Sequence, residues 1–260
     1  MTDATLTDLD AADLERRFSG LRRLYGDAGY RRIRAARVAV VGLGGVGSWA
    51  VEALARSGIG GLTLVDFDHV AESNINRQVQ ACTGTLGMAK TRALRQRIAG
   101  IHPGCAVREV DDFATAANWP ALLGDETVDA LIDACDQGAA KAALAGWALA
   151  TGTAFVAVGA AGGKRDAQRT EVADLAEATH DPLLAALRQR LRRTGAPRRG
   201  AIGLRCVFSR ESVVAPVGGE ACASDGSLNC QGYGSTVVVT ATFGLVAAGE
   251  VLRQLIATAG

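Results

Sequence analysis

Short apolar runs alternate with longer stretches of helical periodicity through residue 160. The runs at 37–42 (RVAVVG), 62–66 (LTLVD), 129–134 (DALIDA) and 154–159 (AFVAVG) are too short for helices and almost wholly apolar, so they predict strands buried on both faces. Residues 106–110 predict a further strand between the second and third of these. Segments 48–57, 85–99 and 139–150 predict the intervening helices. The first has Val46, Ala50 and Leu54 on its apolar side, and Gly58 stops it. Repeated strand–helix–strand units cross over with one hand and build a parallel sheet. The expected fold class is therefore α/β: a Rossmann-like, open, mostly parallel sheet with flanking helices.

The pattern changes at both ends. Residues 13–36 are rich in arginine and predict a helical N-terminal arm. Beyond Gly163 the alternation fades, but Asp181-Pro182 reads as a helix cap and first turn, with Leu183, Leu184, Leu187 and Leu191 along one side. Residues 229–249 carry no charge, which raises a membrane span. Gly232, Gly234, Gly244 and Gly249 interrupt them, however, and Glu250 and Arg253 follow, so segment 235–257 is expected to be a helix buried against the sheet. Without internal repeats or a low-complexity linker, residues 1–260 read as one domain: an arm (1–36), a core (37–160) and a second half (161–260).

Charge refines this picture in one place. The 260 residues carry a net charge of only +1, which excludes a uniformly basic coat, and no DNA partner is expected. Lysine is confined to Lys90, Lys141 and Lys164, so the chain prefers arginine generally and its arginine content alone means little. Between Pro182 and Arg210, however, no acidic residue accompanies Arg188, Arg190, Arg192, Arg193, Arg198, Arg199, Arg205 and Arg210. That asymmetry reads either as a solvated face or as a patch for a phosphate backbone. The N-terminal MTDATLTDLDAADLERR lacks the charged and apolar pattern of a signal peptide, so a cytoplasmic location with free thiols is expected. The cysteines, Cys82, Cys105, Cys135, Cys206, Cys222 and Cys230, form no Cys-x-x-Cys pair.

Chemistry gathers where the predicted strands end. Gly42, Gly44, Gly45 and Gly47 form a G-x-G-x-x-G turn between strand and helix, where backbone amides can meet phosphates. Asp66 closes the second strand, placed to accept hydrogen bonds from ribose. A nicotinamide site needs no cations nearby, yet DFDHVAESNINRQ brings Asp68, Asn74, Arg77 and Gln78 together, and Lys90 follows. Arg77 and Lys90 suit the phosphates of ATP, with Lys90 and Arg77 acting as pyrophosphate leaves. Asp133 and Asp136 end the fourth strand. Asp133 reads as a structural acid and Asp136 as the better Mg²⁺ ligand, sharing the ion with phosphate oxygens.

These segments resemble the adenylating core of the ubiquitin-activating and ThiF/MoeB proteins over residues 16–160. The resemblance implies a ubiquitin-activating-enzyme-type adenylation fold and assigns Asp66, Asn74, Arg77, Gln78, Lys90 and Asp136 to MgATP. It also implies a homodimer, in which an N-terminal arginine of a partner subunit reaches the phosphates; RRFSGLRRLYG offers Arg17 or Arg23, with Arg23 favoured. Sulfur-carrier activators usually carry two Cys-x-x-Cys pairs, absent here. RFSGLRRLYG, VGAAGG, DLAEATHDPL, CVFSRE and NCQGYGSTVVVTATFG instead resemble the tRNA threonylcarbamoyladenosine dehydratase branch over nearly the whole chain. That branch implies ATP-driven cyclisation of the threonylcarbamoyl group on a tRNA adenosine, with 37–160 binding nucleotide and 161–260 facing tRNA and forming the dimer. Arg188, Arg192, Arg198 and Arg199 become candidate tRNA contacts, with Arg188 and Arg192 turned to one outer side of their helix. It places a functional cysteine at Cys230, read as either a catalytic or thioester residue or a structural thiol; Cys222 is a weaker candidate, and Cys135, between two aspartates, is expected to be inert. A monovalent cation (Na⁺ or K⁺) and a cysteine desulfurase or sulfur-acceptor partner also follow from the resemblance. The alternative is an adenylating activator of a ubiquitin-like sulfur carrier.

Overall fold

The structure is a computed structural model that describes residues 11–214 and 233–257, with side chains from Leu14 onward in the first helix. Cys222 and Cys230 lie outside the described residues. Helix α1 (Ala11–Ala35) is broken at Gly26, whose φ of 70° lies in the left-handed region. It leads into β1 (Arg37–Val41), α2 (Gly47–Arg56) and β2 (Gly61–Val65). Helix α3 (Lys90–Ile101), β3 (Ala106–Val110), β4 (Ala130–Asp133), α4 (Gly138–Thr151) and β5 (Ala154–Val158) continue the alternation. The second half adds β6 (Thr170–Asp174), α5 (Pro182–Arg193), β7 (Arg205–Ser209) and α6 (Val237–Ala257).

The seven strands form one sheet in the order β3-β2-β1-β4-β5-β7-β6. Every pair is parallel except β6–β7. The chain builds outward from β1 through β2 to β3, then returns to place β4 on the other side of β1. This reversal opens a crevice at the carboxyl ends of β1 and β4, where ligands of such sheets bind. Side chains alternate across the sheet, as strand geometry requires. Val38, Val40, Leu62, Leu64 and Ile132 face α2, α3 and α6, whereas Ala39, Val41, Leu131, Phe155 and Phe208 face α4 and α5.

Two expectations need correction and a third holds. The helix expected from residue 85 begins at Lys90, because Gly87 (φ 78°) and an isolated bridge between His69 and Ala89 hold the preceding residues out of helical geometry. The sheet also gains β7 and the antiparallel β6, beyond the alternation legible to residue 160. The uncharged C-terminal segment becomes α6, the one helix among the described residues long and apolar enough to cross a membrane. Here it lies along α2 and the sheet, as expected. A Cβ at Gly244 would stand 2.4 Å from the Val46 carbonyl oxygen, so only glycine permits this approach. Glu250, buried near its end, is held by Arg205 at 3.0 Å.

Candidate active site

The glycine turn divides its labour between closure and access. Gly42 has a φ of 86°, and a Cβ there would meet the Ala134 backbone at 2.9 Å. A Cβ on Gly47 would lie 1.8 Å from the Gly42 carbonyl oxygen. Gly47 therefore lets the turn close on itself, and it is not among the residues that line the cleft. Gly42, Gly44 and Gly45 do line the cleft, and nothing lies within 4 Å of a Cβ built on Gly44. The cavity is about 400 Å³, within the range of small-molecule sites.

Asp66 holds the turn from the next strand. Its Oδ2 accepts the Leu43 N–H at 2.6 Å and its Oδ1 accepts the Asp68 N–H at 2.9 Å. Burial raises the Asp66 pKa, partly countered by Lys90, whose Nζ lies 3.6 Å from Oδ1. Lys90 is buried at the start of α3 and donates to Asp68 Oδ2 at 2.6 Å. Its ammonium thus sits between two carboxylates at the cleft wall. Arg77 comes from the loop after β2; its Nη1 donates to the Ser73 carbonyl at 2.7 Å and to Asn76 Oδ1 at 2.9 Å. Burial holds its pKa below the usual arginine value. Asn74 is committed to its own loop, its Oδ1 accepting the Ala71 N–H, while Gln78 Oε1 accepts from Gln80 Nε2. Both still line the cleft, as do Asp68, Arg77 and Lys90.

Across the cleft, β4 ends in Asp133-Ala134-Cys135-Asp136. Asp133 is fully buried and paired with Lys141, so it is structural, as its sequence position suggested. Burial and the adjacent Asp133 push the Cys135 thiol well above its ordinary pKa, which keeps it protonated and inert. Asp136 lines the cavity, and no hydrogen bond or ion pair among the described residues holds its carboxylate. One free carboxylate opposite two cations suits Mg²⁺, which takes a carboxylate or two and completes its shell with phosphate oxygens and water. No group of three or more His, Cys, Asp or Glu gathers for a metal among the described residues, so no all-protein metal cage competes with that arrangement.

Sequence reasoning missed part of the wall. Asp112 and Phe113 follow β3, Gly159–Gly162 follow β5, Pro182 and Leu183 open α5, and Thr240 comes from α6. The available signal was positional: each strand's carboxyl end reaches the same edge. Asp181 fixes two of these segments together, its Oδ1 capping α5 at the Leu184 N–H and its Oδ2 accepting the Ala160 N–H at 2.8 Å.

A profile of the ThiF family matches residues 16–259. The chain belongs to the ThiF family. This ThiF-family chain is 40% identical to the tRNA threonylcarbamoyladenosine dehydratase of Haemophilus influenzae over 247 residues, covering 93% of this chain and 94% of that protein. It is 41% identical to the protein of the same name from Escherichia coli over 254 residues, covering 94% of each. The solved E. coli tRNA N6-threonylcarbamoyladenosine dehydratase in complex with ATP superposes with a TM-score of 0.86 at 40% identity, covering 96% of this chain and 97% of that one. The E. coli molybdopterin-synthase adenylyltransferase matches less of the ThiF-family chain, 35% identical over 44% of it.

Two groups of candidate residues lie away from the cleft. Arg17 of the arm donates to the Ile101 carbonyl of its own chain at 2.9 Å, and Arg17 and Arg23 are both exposed on α1. Arg188, Arg192, Arg193 and Arg198 line one shallow groove beside α5, and Arg199 is exposed beside it. The expectation that Arg188 is simply outward-facing needs correction: its Nη1 donates to the Leu175 and Ala178 carbonyls, pinning the loop before α5. Arg205 and Arg210 are neutralised by Glu250 and Glu171. The acid-free stretch in sequence is therefore partly balanced in space.

Proposed function

We propose that this chain is an ATP-dependent tRNA threonylcarbamoyladenosine dehydratase that closes a ring on the adenosine next to the anticodon. One observation carries the reading: the chain matches dehydratases of that name over 93–94% of its length, and a solved one holds ATP in the same fold. The chemistry fits the cleft. A carboxylate is a poor acyl group because its oxygen leaves badly, so it must be activated. Attack of the substrate carboxylate oxygen on the α-phosphorus of ATP gives an acyl-adenylate and releases pyrophosphate. Arg77 and Lys90 are placed to stabilise the charge that develops on the leaving phosphates. The carbamoyl group of the same substrate then attacks the activated carbonyl, the ring closes and AMP departs. Well-oriented intramolecular attack can lower the barrier by about 7–11 kcal/mol, so no protein nucleophile is required. Cys230 keeps its place as the candidate thiol.

Asp136 would hold Mg²⁺, which supplies charge neutralisation on the phosphates. The monovalent cation (Na⁺ or K⁺) has no step assigned to it. A cysteine desulfurase partner has none either, since the reaction neither gains nor loses sulfur. In this reading the protein is a cytoplasmic homodimer, Arg23 of each subunit completes the phosphate site of the other, and residues 161–260 meet tRNA in one ThiF-type domain. The sulfur-carrier alternative draws on the shorter molybdopterin-type match and on no feature of the second half. Nucleosides from cells lacking the gene test the proposal. Mass spectrometry should show loss of the species one water lighter than threonylcarbamoyladenosine and gain of the parent; an unchanged profile would remove the reading.

A further inference from the structure

Lys141 breaks a local rule. It occupies the first turn of α4, where the helix dipole disfavours a cation, and it is wholly buried with Asp133, both side chains 0% exposed. Its three donors are all used: Nζ donates to Asp133 Oδ2 at 2.8 Å, to the Asp133 carbonyl at 3.3 Å and to the Val158 carbonyl at 3.0 Å. The ammonium thereby ties the carboxyl end of β4 to that of β5. The second oxygen of Asp133 turns the other way. Oδ1 accepts the Cys135 N–H at 3.3 Å and the Cys135 thiol at 2.9 Å. The next residue is Asp136, whose carboxylate enters the cleft without any holding contact of its own among the described residues. Apolar residues closer in volume, methionine for Lys141 and valine for Asp133, could fill these positions without desolvating charge, often with equal or better stability. Burial alone gives no reason for an ion pair here; the orientation of the turn does.

We propose that Lys141, acting through Asp133, is the positioning residue that fixes the Ala134–Asp136 turn so that the Asp136 carboxylate faces the metal bound with ATP. This rests on the reading of Asp136 as the Mg²⁺ ligand. The pair does for a carboxylate ligand what outer-shell hydrogen bonds do at other metal sites, where their loss typically weakens metal affinity about 10–100-fold.

The test compares ATP affinity by calorimetry with Mg²⁺ and with EDTA, the ratio being the gain conferred by the metal, and records thermal unfolding alongside. Lys141→Met should lower that gain about 10–100-fold and also lower the melting temperature, because Asp133 is left buried and unpaired. The double variant Asp133→Val/Lys141→Met should recover the melting temperature but not the gain. A double variant that recovers both would reduce the pair to a fold element and overturn the proposal. Asp136→Ala separates the two levels. If it abolishes the gain while the Lys141 variants keep it, the positioning role alone falls; if it leaves the gain intact, the metal reading and the positioning role fall together.

Discussion

Arg77 and Lys90 carry the same charge into one cleft but are built in differently. The Arg77 backbone is held without its side chain, since Trp49 Nε1 donates to its carbonyl at 2.9 Å and its own N–H donates to Asn74. Arg77→Ala should therefore cost about 10²–10³ in ATP-dependent turnover while leaving the melting temperature nearly unchanged. Lys90 is buried against Asp66, whose pKa burial already raises. Lys90→Ala should lose turnover to a similar extent and lower the melting temperature as well. Steady-state kinetics beside calorimetric scans would distinguish the two, and equal stability losses would contradict this contrast. At this scale the sequence was informative where chemistry is local: glycines, carboxylates and cations cluster within one loop and one turn. It was silent on Lys141, because a lysine in a first helical turn ordinarily lies at the surface, and only the meeting of β4 and β5 buries it.

The elements divide in the same way. Strands β1, β2, β4 and β5 were legible because two covered faces demand nearly continuous apolar residues. Strand β6 (TEVAD) is half-buried along its length at the sheet edge, so its pattern is weak, and β7 is a brief apolar run amid arginines. Helix α5 was legible through its Asp-Pro cap. Helix α1 was legible as an arm, but its docking was not. That docking centres on His102, where the Phe18 ring packs at 4.7 Å and Arg34 Nη1 approaches Nε2 at 2.6 Å. Burial, then the charges of Arg34 and Arg17, push the imidazole from 6.5 down to about 4. The folded chain thus keeps His102 neutral where the unfolded chain protonates it. Its contribution to stability is complete above about pH 6.5 and is lost progressively as the pH falls toward about 4. Melting temperatures of the wild type and His102→Gln should therefore converge on acidification across that window. A constant difference between them would place the titration elsewhere.

For the molecule as a whole, the arginine groove and the arm make separate predictions. Changing Arg192, Arg193, Arg198 and Arg199 to Gln, with the loop-pinning Arg188 kept, should raise the tRNA dissociation constant. It should also flatten the log–log salt dependence by about 0.7–0.9 per lost phosphate contact. ATP affinity should not change, and an unaltered slope would mark the groove as ordinary solvated surface. If Arg23 serves a neighbouring subunit, inactive Arg23→Ala and Lys90→Ala chains should regain turnover when mixed and allowed to exchange; no recovery would count against a shared site. The placement of α6 has a consequence in time. Thr240, near its start, forms part of the cleft wall, and Gly244 lies against the Val46 carbonyl at the mouth of the glycine turn. The glycine turn emerges from the ribosome early and this wall emerges late. A nascent chain can assemble β1, α2 and β2 long before the cleft wall is complete, so the finished cavity forms only once synthesis has passed α6.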